Sequence, residues 1–300
     1  MEPQETFSHT SGGAGDRSLE DQSVDTIRRF LTGKPRTTAM WELLINDTVV
    51  KTHWEMADYV ATTKLLMNDH GRTHAMVATA SALTMLDLAI SAGVTPDFVK
   101  SGFGDNDDAA LIVLTATLCH DCGNIVHRQE HAELAVSLMI PVLDRLLPSV
   151  YTEPAKLTQI KTFILSAIYT HHGEPRPLTI EAAVVCIGDA SDMTKGRGRA
   201  AFERGSVTIH SVSALAIERV DIRKGTAKPI ELRIFMTNSA GIYQVQEILA
   251  PKVRAGPLAG SVDVVAITDV ADEDHEQRIV GGIRMDGAKF VPCRSDGTRG

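Results

Sequence analysis

Residues 109–124 read AALIVLTATLCHDCGN, and the fold turns on how this stretch is read. From Ala109 to Cys119 it is apolar nearly all round, as expected of a helix buried on most sides, and Gly123 marks its end. His120 and Asp121 therefore fall at the end of a core helix. A His-Asp pair in that position is costly to bury unless its charge is paired or coordinated, so Asp121 requires a partner, and a metal ion would supply one.

On both sides of this segment apolar residues recur at helical rather than strand spacing: Met76, Ala80, Leu83 and Ile90 before it, Leu157, Ile160, Ile164 and Ile168 after it. The spacing predicts a helical domain. After Gly205 the pattern changes to VTIHSVSALAIERVDI, PIELRIFM and VDVVAIT, which read as strands. Between the second and third runs, Ile242, Val245, Ile248 and Leu249 form an amphipathic helical stripe in SAGIYQVQEILAPKV. The expectation is a mainly α protein: a helical bundle over residues 37–204, then a small α+β domain over 205–270, a short sheet with one covering helix. Residues 1–36, rich in Ser, Thr, Gly, Asp and Glu, read as a mostly disordered leader with room for one short helix near DTIRRFL. Residues 271–300 read as a weakly ordered tail. No internal repeat is present.

The 300 residues are 43% hydrophobic and 23% charged, the balance of a soluble globular protein with a sizeable core. A formal net charge of -8 excludes the basic field that drives nonspecific binding to nucleic acid or anionic membrane, and favours a small substrate. Cys119, Cys122, Cys186 and Cys293 are too few and too irregularly spaced for a disulfide framework, so a reducing compartment is expected. The start MEPQETFSHTSGGAGDRSLEDQS has no apolar signal-like core, and no run of about 18 apolar residues occurs. The expectation is a cytoplasmic protein without a membrane partner.

Chemistry is concentrated in histidines and aspartates of the first domain: His74 in HGRTHA, His120 and Asp121, His131 in RQEHAEL, His171 and His172 in YTHHGE, and Asp189 in CIGDASDM. Imidazole nitrogen and carboxylate oxygen suit Mn, Fe, Co, Ni, Zn or Mg. A bound divalent ion lowers the pKa of water from about 15.7 towards roughly 7, which would give a nucleophile against phosphorus. Any one such histidine is more often structural. Asp189, set among apolar residues, has a helix cap as its plain explanation. The joint pattern is what favours metal.

The order His74, His120-Asp121, Asp189 resembles the H…HD…D signature of HD-domain phosphohydrolases, over roughly residues 60–200. The resemblance implies that these four residues hold one metal, with His120 and Asp121 at the heart of catalysis. It also implies that His131 with His171 or His172 matches the added histidines of the two-metal branches, the HD-GYP phosphodiesterases and ribonuclease Y-like enzymes, so one or two ions per chain are expected. The segment HHGEPRPLTIEAAVVCIGDASDMTKGRGRA is similar in layout to the ribonuclease Y catalytic region. This sequence departs from the pattern in three ways. Asn124 stands where a lysine often follows, the GYP signature is absent, and there is neither a KH-type segment nor an amino-terminal membrane helix.

Lys195, Arg197 and Arg199 follow Asp189 closely and fit phosphate oxygens, with a solvated basic helix end as the plain alternative. Arg128, beside His127, is a second candidate substrate contact, and His70 is a third, placed on the helix face of His74 if that helix extends so far. Asp87, Asp105, Asp107 and Asp108 read as solvated or loop acids. The expected activity is metal-dependent hydrolysis of a phosphoester of a nucleotide or similar small phosphorylated metabolite by a metal-activated hydroxide. The alternatives are a ribonuclease Y-like RNA phosphodiesterase, with nucleic acid disfavoured by the acidic charge, and a non-catalytic regulatory module binding nucleotide or metal. Exposed strand edges of the second domain also allow a homodimer.

Overall fold

The computed structural model describes residues 6–10, 18–197, 209–268, 282–287 and 289–293. Its centre is the buried helix read from the sequence. Asp105 opens that helix, its side chain accepting from the Asp107 and Asp108 amides while the Asp108 carboxylate accepts from the Asp105 amide. By chain order the helices of the bundle are α1 (Leu19–Phe30), α2 (Pro35–Asn46), α3 (Thr48–Asp58), α4 (Arg72–Ser91), the short α5 (Asp97–Lys100), α6 (Asn106–Cys119), α7 (His131–Leu146), α8 (Pro154–Tyr169) and α9 (Ile180–Ser191). A π-helical stretch, Tyr59–Lys64, continues α3.

Helices α4, α6 and α9 pack together at the middle, with α1, α2 and α8 around them. Helix α4 is long and apolar enough by composition to cross a membrane, yet 83% of its most apolar window is buried inside the protein. Each fully buried Leu or Ile of α6 contributes about 1.5–3 kcal/mol of apolar transfer. The ends of α3 and α6 are tied together by the Trp54 indole N–H, which donates to the Leu118 carbonyl at 2.7 Å.

Beyond the bundle come α10 (Ile209–Leu215), a helical stretch over 239–255 that ends in α11 (Ala250–Ala255), and a six-stranded sheet. The strands are β1 (Thr6–Thr10), β2 (Ile217–Lys224), β3 (Ile230–Met236), β4 (Val262–Thr268), β5 (Gly282–Asp286) and β6 (Lys289–Pro292), in that spatial order. All neighbours are antiparallel except β3 and β4, which run parallel because the helical stretch crosses over between them. Val220, Ile222, Leu232 and Ile234 of the sheet belong to the same apolar cluster as Met76, Leu83 and Leu111 of the bundle, so the two parts share one core. The protein is mainly α with a small α+β part, as the sequence predicts.

Four readings require correction. The leader is structured over residues 6–10 and 18–36. Average composition hides the stripe of Val24, Ile27, Phe30 and Leu31 that packs into the core, and the side-chain cap that Ser18 gives the Asp21 amide. Residues 209–215 of the first predicted strand run form α10 instead, where Ser213 donates to the Ile209 carbonyl and Gln244 pins the helix by donating to Ser213 Oγ at 2.9 Å. Residues 282–286 and 289–292 of the expected weak tail are strands that extend the sheet. Asp108 is not a solvated acid. It is buried, and it accepts from the Tyr151 hydroxyl at 2.6 Å and from Lys156 at 2.6 Å. The expected boundary near 204 lies outside the described residues.

Candidate metal centre

Helix ends deliver the site. Asp69 holds the start of α4, its Oδ1 accepting from the Gly71 amide at 2.7 Å and its Oδ2 from the His74 amide at 3.1 Å. This places His74 in the first turn. His120 ends α6, Asp121 follows it, His131 is the first residue of α7, and His171 and His172 come directly after α8. Two glycines set the approach of these helices. A Cβ on Gly188 would lie 2.9 Å from the Ala78 carbonyl oxygen and 2.9 Å from Ala82 Cβ, so only glycine lets α9 press Asp189 against α4. A Cβ on Gly123 would come within 1.9 Å of the His131 carbonyl oxygen, so glycine also lets the start of α7 close on the His-Asp turn.

Four donors converge first. His74 Nε2 lies 3.2 Å from His120 Nε2, 3.3 Å from Asp121 Oδ2 and 3.1 Å from Asp189 Oδ1. His120 Nε2 lies 3.4 Å from Asp121 Oδ2 and 3.5 Å from Asp189 Oδ1. Donors about 2.1 Å from a common ion stand about 3.0 Å apart on an octahedral edge and about 3.4 Å apart on a tetrahedral one, so this set fits a single ion. The other oxygen of Asp121 faces a second set. Asp121 Oδ1 lies 3.2 Å from His131 Nε2, which lies 3.2 Å from His171 Nε2 and 2.8 Å from His172 Nε2. Asp121 thus stands between two groups of ligand atoms that could each hold a divalent ion.

The remaining imidazole nitrogens fix the rings. His74 Nδ1 faces Asp192 Oδ2 at 2.7 Å, and the Nδ1 atoms of His120, His131 and His171 face the carbonyls of Thr117, Arg128 and Ile168 at 2.7, 2.9 and 2.6 Å. With an oxygen at each Nδ1, the proton resides there and Nε2 turns inward as a donor to metal. Asn124 donates to Asp121 Oδ1 at 2.8 Å and accepts from Arg128 at 3.2 Å. Lys252 of α11 pairs with Asp189 Oδ2.

Burial resists charge throughout the cluster. At His74 burial and Arg197 both oppose the proton, but hydrogen bonds to Asp121, Asp189 and Asp192 outweigh them and raise its pKa to about 10. At His120 burial is likewise outweighed, by the Asp121 charge and bonds to Asp121 and Asp189, giving about 9. Burial would raise both carboxyls, yet His70, His120 and His131 hold Asp121, and Lys252 with His120 and His74 holds Asp189, well below the usual carboxylate range. Burial takes His70 down to about 4 and His172 to about 3, leaving both neutral. Without metal the two carboxylates therefore retain protons on His74 and His120, which a divalent ion would displace.

The structure brings together His74, His120, Asp121, His131, His171, His172 and Asp189. His70 joins them with Nδ1 2.6 Å from Asp121 Oδ2, but from the loop before α4 rather than from its helix, because Gly71 marks where that helix begins. Arg128 and Arg197 border a cavity of about 530 Å³ beside the centre. Arg197 donates to the carbonyls of Asp69 and Asp192 at 3.1 and 2.8 Å. Lys195 pairs with Glu218 at 3.0 Å and does not line that cavity; Arg199 lies outside the described residues. Sequence reasoning missed Asp69, Asp192 and Lys252. Only Asp192, one helical turn beyond Asp189 in DASDM, carried a local signal.

No protein-family model matches the chain, and no solved structure does. The chain is 38% identical over 236 residues to uncharacterized protein MJ1020 of Methanocaldococcus jannaschii, an alignment covering 79% of this chain and 90% of that protein. The chain belongs to the family of MJ1020.

Proposed function

We propose that the chain is a metal-dependent phosphohydrolase of the HD superfamily, acting on the phosphoester of a nucleotide or similar small phosphorylated metabolite. The observation that carries this reading is Asp121, whose two carboxylate oxygens each face a separate set of imidazoles. When bound, divalent ions supply acidified water and neutralise charge on phosphoryl oxygens. The chain's own residues do the rest. Arg128 and Arg197 border the cavity at the centre and offer forked donors to phosphate oxygens. Asn124, where HD relatives often carry lysine, steadies Asp121 and Arg128. Neutral His70 keeps an N–H on Asp121. A cavity of about 530 Å³ in a chain of net charge -8 supports a small substrate over an extended RNA.

The test is elemental analysis of the purified protein beside hydrolysis of an aryl phosphomonoester and an aryl phosphodiester with Mn, Co, Ni or Mg. The expected result is one or two ions per chain and metal-dependent turnover that Asp121→Ala and His120→Ala abolish while helical content persists. Unchanged turnover in Asp121→Ala overturns the reading. One observation favours a second: with Asn124 spent on Asp121, the centre lacks the lysine, as a regulatory binding module would. Stoichiometric metal without turnover on either ester would support it.

A further inference from the structure

Lys252 reaches the centre from outside the bundle. It lies on α11, whose Ala250 and Val253 are buried in the apolar cluster that also holds Ala182 and Ala183 of α9. This docking brings its side chain to the metal ligands. Its Nζ pairs with Asp189 Oδ2, and a Cβ at Gly173 would lie 3.6 Å from its Cγ, so the turn that follows His172 runs beside its stem. The side chain is only 11% exposed, yet it borders the cavity.

Asp189 divides its two oxygens. Oδ1 faces His74 and His120, while Oδ2 accepts from Lys252, so an ion held at Oδ1 and the ammonium at Oδ2 do not compete for one atom. An ammonium has three N–H donors. Among the described residues Asp189 is the one hydrogen-bond partner of Lys252, which leaves donors for a ligand in the cavity. Arg197 and Arg128 are more heavily engaged: Arg197 donates to the carbonyls of Asp69 and Asp192, and Arg128 donates to Asn124 and meets His131 Nε2 at 3.1 Å. Charge points the same way. Asp121 and Asp189 balance one divalent ion, and Asp192 balances Arg197, 3.6 Å away. Of the other described acids and bases that border the cavity, Arg128 and Lys252 then face Glu247, so a loaded centre carries a positive surplus that an anion relieves.

We propose that Lys252 is a catalytic residue contributed by the α+β part, its ammonium donating to a phosphoryl oxygen of the substrate and neutralising charge there while Asp189 holds it in place. This rests on the hydrolase reading. In the reaction the oxygen of water bonds to phosphorus and the bond from phosphorus to the ester oxygen breaks. One water proton ends on the departing ester oxygen and the other on the phosphate product, so Lys252 keeps its own proton and acts through charge.

The test uses the full chain and two calorimetric titrations, Mn into the metal-free protein and methylphosphonate into the Mn-loaded protein. Lys252→Gln keeps an N–H for Asp189 Oδ2 and removes the charge; Lys252→Arg keeps the charge. Lys252→Gln is expected to weaken methylphosphonate binding by about tenfold or more, the size of a charge-assisted hydrogen bond, and Lys252→Arg to retain most of it. Mn affinity in Lys252→Gln is expected to be unchanged or tighter, because a cation beside the ion is gone. Its kcat/KM on the aryl ester that the chain hydrolyses is expected to fall at least as far as phosphonate affinity. Wild-type methylphosphonate affinity in Lys252→Gln overturns the proposal and leaves the hydrolase reading standing. Mn and methylphosphonate affinity falling together also overturns it, since Lys252 would then be a brace for Asp189. Should Lys252→Gln not fold, a crystal structure of the wild-type chain with Mn and methylphosphonate decides: Nζ within hydrogen-bond distance of a phosphonate oxygen supports the role, and Nζ out of reach overturns it. If no ester is hydrolysed but phosphonate binding is lost in Lys252→Gln and kept in Lys252→Arg, Lys252 is supported as the phosphoryl-binding cation and the hydrolase reading fails.

Discussion

His74 has both ring nitrogens committed, Nε2 to the cluster and Nδ1 to Asp192. Replacing Asp192 by Asn keeps the shape but removes the charge that favours the Nδ1 proton. Asp192→Asn is expected to weaken metal affinity by about 10–100-fold with helical content unchanged. Titration calorimetry with Mn checks this, and wild-type affinity in the variant would show that His74 does not need Asp192. The ligands themselves were legible because a buried His or Asp beside apolar residues demands a partner, as at His120, Asp121 and Asp189. The groups behind them were not. Asp69 carries no local signal, Asn124 reads as a lost lysine, and Lys252 lies 63 residues from the Asp189 it pairs with, so only the spacing of Asp192 from Asp189 hinted at this layer. A partnership as distant as that of Lys252 leaves no local pattern.

Helix contacts depend on what is missing at two positions. Gly188→Ala would press a methyl against Ala78 and Ala82, which belong to α4 and have little room to move. The expected cost is about 1–3 kcal/mol of overpacking, read from urea unfolding, together with reduced metal content as Asp189 moves off His74. Full metal occupancy with unchanged stability would mean that α4 and α9 have slack. Another helix contact carries a pH signature. Asp47 caps α3 through the Val50 amide and pairs with Arg145 of α7. The Arg145 hydrogen bond, with burial opposing and the Val50 bond assisting, holds the Asp47 carboxyl below its ordinary value. A lowered folded value means that this stability is present above about pH 4, the unfolded carboxylate range, and is lost as pH falls through the folded value. Asp47→Ala is expected to cost about 1 kcal/mol at neutral pH and to flatten that acid limb in urea midpoints measured against pH. Element types were legible where the pattern was strong, as in the unbroken apolar run of α6 and the alternating or β-branched runs of β3 and β4. They failed at 209–215, where alternating Ser and apolar residues fit a strand as well as a helix.

Across the molecule, the sequence suggests two domains joined near residue 204, whereas the structure has one apolar core running from α4 into β2 and β3, with Lys252 tying α11 to a metal ligand. That continuity was hidden because apolar residues announce burial but not what they are buried against; the strand run of β2 reads the same against its own helix or against α4. A shared core predicts shared unfolding. Amide hydrogen exchange of β3 and β4 is expected to follow the same denaturant dependence as that of α4 and α6, as one cooperative unit. Metal would then stabilise both parts together: at a hundredfold excess over Kd a bound ion contributes about 2.7 kcal/mol, a rise in Tm on the order of 5 °C for a chain of this size. Chelation is expected to reverse that rise and to speed exchange in β3 and β4 as much as in α4, whereas Asp121→Ala should show neither response. If exchange in β3 and β4 ignores the metal while α4 responds, the sheet is an autonomous unit and its cluster with the bundle is only a contact.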